Sequence, residues 1–271
     1  MEWSQISGYF DLGFRWMHVL AGVMWIGHLW FFNFVNAQFV KSYDAESKKK
    51  LLPELMPRAL YWFRWGAAYT FISGVFLMAL VYHHGGYLLN AGSTLGVGPS
   101  WGITLGLLVV GFFVYDMLWK SPIAKNEMVG GAISLVLLMA VAVGLGRVYS
   151  GRAVLIHIGA LLGTIMAANV WMRIWPSQRK IIAGVKGDAP APDASVPALA
   201  GLRSKHNTYM SMPLIFFMVS NHYSQIYGMT GSANDLKHDF GWAIVAGFVL
   251  VGWGVAKFCY TKSASDAPKK F

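Results

Sequence analysis

WMHVLAGVMWIGHLWFFNFVNAQFV, residues 16–40, contains no Asp, Glu, Lys or Arg, yet carries His18 and His28. Hydrocarbon offers no water to a bare peptide group, so a stretch at that depth must close its own hydrogen bonds as a helix. An imidazole there needs a partner as well. About 20 apolar residues cross a bilayer, and this stretch exceeds that.

Six more stretches of the same kind follow, at 59–82, 101–119, 128–146, 153–175, 209–227 and 240–260. The chain of 271 residues is 56% hydrophobic and only 13% charged, with mean hydropathy +0.47. Soluble domains carry about 25% charged residues, so the composition excludes an ordinary soluble globule. The expected fold is all-α: one polytopic membrane bundle of about seven transmembrane helices, forming a single domain over residues 1–271. The sixth stretch is the weakest, because Pro213 lies in its first turns and it ends in Ser220, Asn221 and His222.

Seventeen of the 22 Lys and Arg residues fall in one set of connections, four in the other and Arg64 inside a span. Basic loops stay in the cytoplasm. The bias predicts an N-terminus outside and a C-terminus in the cytoplasm of a bacterial inner membrane, which seven crossings satisfy. The net charge of +10 thus belongs to orientation and to contact with membrane lipid, and no basic patch interleaved with aromatics points to nucleic acid. Residues 1–15 lack the basic start of a cleaved signal, so the first stretch is expected to be retained. The linker GVKGDAPAPDASVPALAGLRS (184–204) reads as a flexible cytoplasmic loop, and 44–55 as a short interfacial turn. Gly159, Gly163 and Ala167 recur every four positions and offer a narrow face for close helix packing, as do Gly241, Gly252 and Gly254 near the end.

A single cysteine, Cys259, excludes an internal disulfide, a CxxC site and the CxxCH anchor of a c-type haem. Depth then sorts the histidines. At 1.5 Å per residue His18 lies about 6 Å inside the outer boundary and His28 about 21 Å. His157 and His222 also fall toward the outer side, with His83 and His84 behind them, and these last two and His238 read as solvated loop residues. Facing histidines in a bundle can hold haem iron axially. The candidate ligands for haem b, one or two groups, are therefore His18, His157 and His222, with His28 at a second, inner site. Arg64 either snorkels, pairs with Asp116, or meets a haem propionate or an anionic substrate.

Three blocks carry a resemblance: RWMHVLAGVMWIGHLWFFNF (15–34), WFRWGAAYTFISG (62–74) and HNTYMSMPLIFFMVSNHY (206–223). They resemble the bacterial integral-membrane urate oxidases, also called urate hydroxylases. In that family a multispan domain precedes a c-type cytochrome domain, and urate is oxidised to 5-hydroxyisourate with electrons leaving through cytochrome c. The resemblance implies a redox protein for urate or a related small molecule, working with a separate cytochrome c or respiratory complex, since a cytochrome domain is not expected on this chain. The matched polar positions are Arg15, His18, His206, Asn207, Asn221 and His222. Arg15 and Arg64, as cationic donors, and Asn207 and Asn221, as amides for the ring edges, are the candidate catalytic residues. A non-enzymatic electron-transfer or anchoring subunit is the alternative. A transporter is a third reading, weakened by the absence of repeated halves.

Overall fold

The computed structural model describes residues 3–229 and 240–265. Among them the chain is helical throughout, with no strand beyond an isolated bridge between Leu89 and Tyr149. Eight main helices follow in order: α1 (Trp3–Trp30), α2 (Ala45–Leu77), α3 (Val97–Leu118), α4 (Glu127–Gly146), α5 (Gly151–Asn169), α6 (Trp175–Lys186), α7 (Ser195–Val219) and α8 (Gly241–Ala264). Three π-helical segments extend or join them: Phe31–Asn36 after α1, Met78–His83 after α2 and Val170–Ile174 between α5 and α6. His238 lies outside the described residues.

Among the described residues six helical rods are long and apolar enough to cross a membrane, and α7 is a long helix that falls short by composition. Its first half carries Arg203, Lys205 and His206. It is accommodated because it packs between α5 and α8 rather than against lipid. The centre of the bundle is α5, which meets α2, α3, α4, α7 and α8. In the rod Gly151–Lys186, 72% of the most apolar window is buried, against 17–28% in the other five.

The helix starts follow local chemistry. Asp44 accepts the Ser47 N–H at 2.7 Å, which also holds its carboxyl below the usual range. Asn126 accepts from Met128 and Val129, and Ser150 from Ala153. Each satisfies a donor that the first helical turn leaves free. The Asp44 cap starts α2 early, so 44–55 is part of a helix and not an interfacial turn. The rod Ala45–His83 is 39 residues, about 58 Å, and outreaches a hydrocarbon layer of about 30 Å. Its first turns pack on α6, which also packs on the start of α7, so these three segments extend the bundle at one end.

The expected long loop at 184–204 is likewise shorter. Helix α6 runs to Lys186 and ends on Gly187, whose φ of 88° suits a left-handed cap. Asp193 accepts the Ser195 N–H, and α7 begins there. Ten residues of Pro- and Ala-rich composition are thus helical, because Pro197 sits in the first turn, where its missing N–H costs nothing. With α7 starting so early, Pro213 lies in the helix interior and not in its first turns.

Close packing uses Gly159 and Gly252 of the small residues expected, but not Gly254. A Cβ on Gly159 would lie 3.1 Å from Phe217 and Met218 of α7. One on Gly252 of α8 would lie 2.6 Å from the Pro213 ring and 2.9 Å from its nitrogen. Gly254 has nothing within 4 Å. Gly252→Leu should therefore cost about 1–3 kcal/mol by overpacking, while Gly254→Leu is near neutral. Thermal unfolding of the two purified variants in detergent checks the contrast; equal midpoints would contradict the packing of α7 on α8.

Candidate functional site

Polar residues gather at both ends of the bundle. At the end where α1 begins, Asn221 is the focus. Its Oδ1 accepts from the Tyr82 hydroxyl at 2.5 Å and from Arg152 Nε at 3.1 Å. Because both donors face the oxygen, the Asn221 amide group is turned the other way. Its hydrogens find no protein acceptor among the described residues, while Arg152 also acts on the Tyr82 hydroxyl as a side-chain donor. The Arg152 guanidinium lies 4.9 Å over the Tyr87 ring. Arg15 is near enough for its charge to act on the Tyr82 hydroxyl, although Asp11 pairs with its Nε at 2.9 Å. His222, next in sequence, is exposed.

Beneath this cluster is a buried network around Thr104. His157 is fully buried and gives its Nδ1–H to the Ala153 carbonyl at 2.7 Å. Its Nε2 must then accept from the Thr104 hydroxyl, 2.9 Å away. That hydroxyl has one hydrogen, and the Ser100 hydroxyl gives its own to the Val97 carbonyl, so His83 lies between two acceptors, Thr104 at 3.2 Å from Nε2 and Ser100 at 3.3 Å from Nδ1. Tyr149 donates to the Ser100 carbonyl at 2.8 Å. His83 is stacked on Trp101 with ring centres 3.7 Å apart and is only 3% exposed. It is therefore a core residue and not the solvated loop histidine expected; His84 is exposed as expected.

His18 and His28 differ from His157. The Ser73 hydroxyl donates to backbone oxygens, so it accepts from His18 Nδ1–H at 3.1 Å. His28 Nδ1–H donates to the Met24 carbonyl at 2.7 Å. Both rings keep a bare Nε2. His157 does not, since Thr104 occupies it. No interaction joins His18 to His157 or His222, and no group of three or more His, Cys, Asp or Glu stands ready for a metal among the described residues.

The opposite end holds a second constellation. Asp116 is almost buried and binds three cations: Arg173 at 2.5 Å, Lys120 at 2.7 Å and Arg203 at 2.9 Å. Arg203 is fully buried, and its Nε and Nη1 have no hydrogen-bond partner among the described residues. Arg64, one of the expected partners of Asp116, does not reach it. Its guanidinium lies 4.0 Å over Trp175 and 5.7 Å over Trp171 and Tyr61. Arg173 and Arg203 enter from α5–α6 and α7, and their spacing along the chain gave no sign of a shared carboxylate.

One hydrogen-bond chain here has a fixed direction. The Met166 carbonyl can only accept, so Asn207 presents Nδ2 to it at 3.0 Å. Asn207 Oδ1 then accepts from Asn169 Nδ2 at 2.9 Å, and the same amide donates to the Tyr115 hydroxyl at 3.0 Å. The Tyr115 hydroxyl has no other acceptor for its hydrogen among the described residues, so it donates to His206 Nδ1, 2.8 Å away. The neutral His206 that results carries its proton on Nε2. Of the expected catalytic set, then, Arg15 and Asn221 lie at the same end, linked only through the charge of Arg15 acting on Tyr82, the partner of Asn221. Arg64 and Asn207 lie toward the other, and both ends of the Asn207 amide are already used by the protein. Arg152, Tyr82, Thr104 and Tyr115 went unnoticed in the sequence. For Arg152 the signal was present: a cation one residue into a helix, on the side of the bundle poor in basic residues.

Removing Asp116 leaves the Arg203 charge buried and uncompensated. Asp116→Ala should destabilise the bundle by about 3–5 kcal/mol, and pairing it with Arg203→Met should recover much of the loss. Thermal unfolding of both variants reads this directly; a single variant as stable as the parent would show that the cluster is not buried as described.

No curated protein and no solved structure matches the chain. A model of the urate oxidase N-terminal family matches residues 4–270, nearly the whole length and all three blocks quoted above. The chain belongs to the urate oxidase N-terminal family.

Proposed function

We propose that this chain is the membrane-embedded part of a redox protein that oxidises urate, or a planar anion like it, at the Asn221 cluster, and passes the electrons to a separate cytochrome c. The observation that carries the reading is the convergence of Arg152 and Tyr82 on Asn221 with Arg15 nearby, in a member of this family. Urate is a flat monoanion near neutral pH, edged with carbonyl acceptors. Arg152 supplies a planar fork of donors suited to such an edge. Asn221 adds an amide N–H whose direction Tyr82 sets by holding the oxygen. Arg15 contributes positive field, reduced by its pairing with Asp11.

Haem b, one or two groups, fits the histidines unevenly. His18 would hold one group and His28 a second, because each has a free Nε2; His157 does not fit, since both its nitrogens are engaged. His222 is exposed beside the Asn221 cluster and remains the other outer candidate. Haem would supply a one-electron carrier between substrate and cytochrome. The protein's part is to fix each ring through Nδ1, which raises the donor strength of Nε2. The excess of basic residues on one side supports a bacterial inner membrane with the N-terminus outside and the C-terminus in the cytoplasm, placing the Asn221 cluster where a soluble substrate and a periplasmic cytochrome both reach it.

Anaerobic stopped-flow mixing with urate tests the activity: reduction of bound haem, reversed by added cytochrome c, is expected. Absence of reduction in protein that dithionite reduces fully would favour the electron-transfer subunit. Arg152→Gln should weaken the urate dependence about tenfold to a hundredfold, the scale of a hydrogen bond to a charged group, while Arg147→Gln leaves it unchanged.

Reduced-minus-oxidised spectra of three variants test the ligands. His18→Ala and His28→Ala should each lose absorbance per chain, whereas His157→Ala should keep it and lower the unfolding temperature. Iron-free parent protein, or loss confined to His157→Ala, would reject this assignment.

A further inference from the structure

A cavity of about 860 Å³ lies between α3 and α4, with α5, α7 and α8 behind it. It exists because α3 and α4 hardly touch each other, although both pack on α5. Residues such as Val110 and Leu137 on its rim are exposed on the flank of the bundle, so the opening faces the hydrocarbon. Only a molecule dissolved in the membrane reaches it directly.

The walls are apolar except at one end, where His206, Tyr115, Trp119, Lys205 and Glu127 line it. Lys205 and Glu127 form an ion pair at 2.5 Å, so the two charged side chains that line this end cancel. The His206 ring is held between Tyr115 and Trp119, with the indole centre 4.0 Å away. The chain that starts at the Met166 carbonyl delivers a hydrogen to His206 Nδ1 and leaves the proton on Nε2, which has no protein partner among the described residues.

We propose that this cavity binds a membrane-dissolved quinone, its ring carbonyl accepting from His206 Nε2–H beside the Trp119 indole and its prenyl tail lying along the apolar walls between α3 and α4. Three features select this class. A fixed neutral donor suits a neutral carbonyl. A metal or haem iron would need the lone pair that the Tyr115 hydrogen bond places on Nδ1 instead. A phospholipid headgroup would need an uncompensated cation, and Lys205 is already paired. The polar end sits near the bundle end and the apolar walls run inward as far as Pro213 and Val249, matching an amphiphile with a ring head and a long tail. The binding does not depend on which substrate the Asn221 cluster takes.

Isothermal titration of the purified full chain with a decyl-substituted benzoquinone tests this. Saturable binding of one quinone per chain is expected. His206→Phe should weaken it at least about tenfold and His206→Gln, which keeps a donor, by less than about threefold. Val110→Trp, a change on the lipid-facing rim that fills the opening, should abolish it. No saturable binding to monodisperse protein would overturn the proposal. So would unchanged affinity in Val110→Trp, or displacement of the quinone by an equal micellar fraction of phosphatidylglycerol, which would make the cavity a lipid groove. Should His206→Phe fail to fold, Val110→Trp decides alone.

Discussion

A polar side chain inside a membrane bundle has no water to fall back on, and that constraint orders this molecule. Every buried donor and acceptor must be matched by another group of the protein, or it costs several kcal/mol. The matching is concentrated on α5, the most enclosed helix. His157 at one end of α5 and Asn169 at the other each close a network with side chains from neighbouring helices. Because each network contains a backbone carbonyl that can only accept, the direction is determined from Ala153 through His157 to Thr104, and from Met166 through Asn207 and Asn169 to Tyr115. Tautomers follow from that direction: His157 is protonated on Nδ1 and His206 on Nε2. Two buried histidines of one bundle are thus given opposite chemistry by their anchors.

The same constraint explains the Asp116 cluster. One carboxylate among three cations leaves an excess of positive charge, and two nitrogens of Arg203 unpartnered in a fully buried position. Arg203 Cζ lies 4.9 Å over the Tyr115 ring, which offsets part of that cost. Arg64 meets the constraint only in part, by stacking on the Trp175 and Trp171 indoles, while its buried Nε has no hydrogen-bond partner among the described residues. The outcome was not legible in the sequence, where Arg64 and Asp116 were matched by depth alone. Depth gives the height of a group in the bundle but not its azimuth, and the azimuth chooses the partner.

Hydropathy alone was enough for the helical rods, because a continuous apolar run has only one stable form in hydrocarbon. What failed was the reading of α7. Its composition is too polar for a lipid-facing span and its start too rich in Pro and Ala to suggest order. Both features become intelligible once α7 is seen to be enclosed by α5 and α8, so that neighbouring side chains, and not lipid, meet its polar face. The Asn221 cluster was half legible. Arg15 and Asn221 both stand in blocks of the family resemblance, but Arg152, at the start of α5, and Tyr82, in the π-helical end of the α2 rod, come from neighbouring helices whose approach to Asn221 the sequence does not give. The ring of His157 is the counterexample: its depth suited iron, and only the hydrogen bonds of Thr104 and Ala153 show that it has no lone pair to give.

Helix α7 ties the two ends together. The block HNTYMSMPLIFFMVSNHY begins with His206 and Asn207 in one constellation and finishes with Asn221 and His222 in the other, 15 residues and about 22 Å apart. Between them the Pro213 ring rests against Gly252 and Phe217 packs by Gly159, contacts with no room for another methyl group. A rod clamped at its middle cannot slide or rotate at one end without moving the other. The spacing of the block is then a mechanical requirement: it sets Asn221 against Arg152 at one boundary while His206 faces Tyr115 and the lateral cavity at the other. The two sites need no direct contact to be held in register, because one lies at the middle of α7 and the other on the 3-10 turn Ser220–His222 that directly continues it.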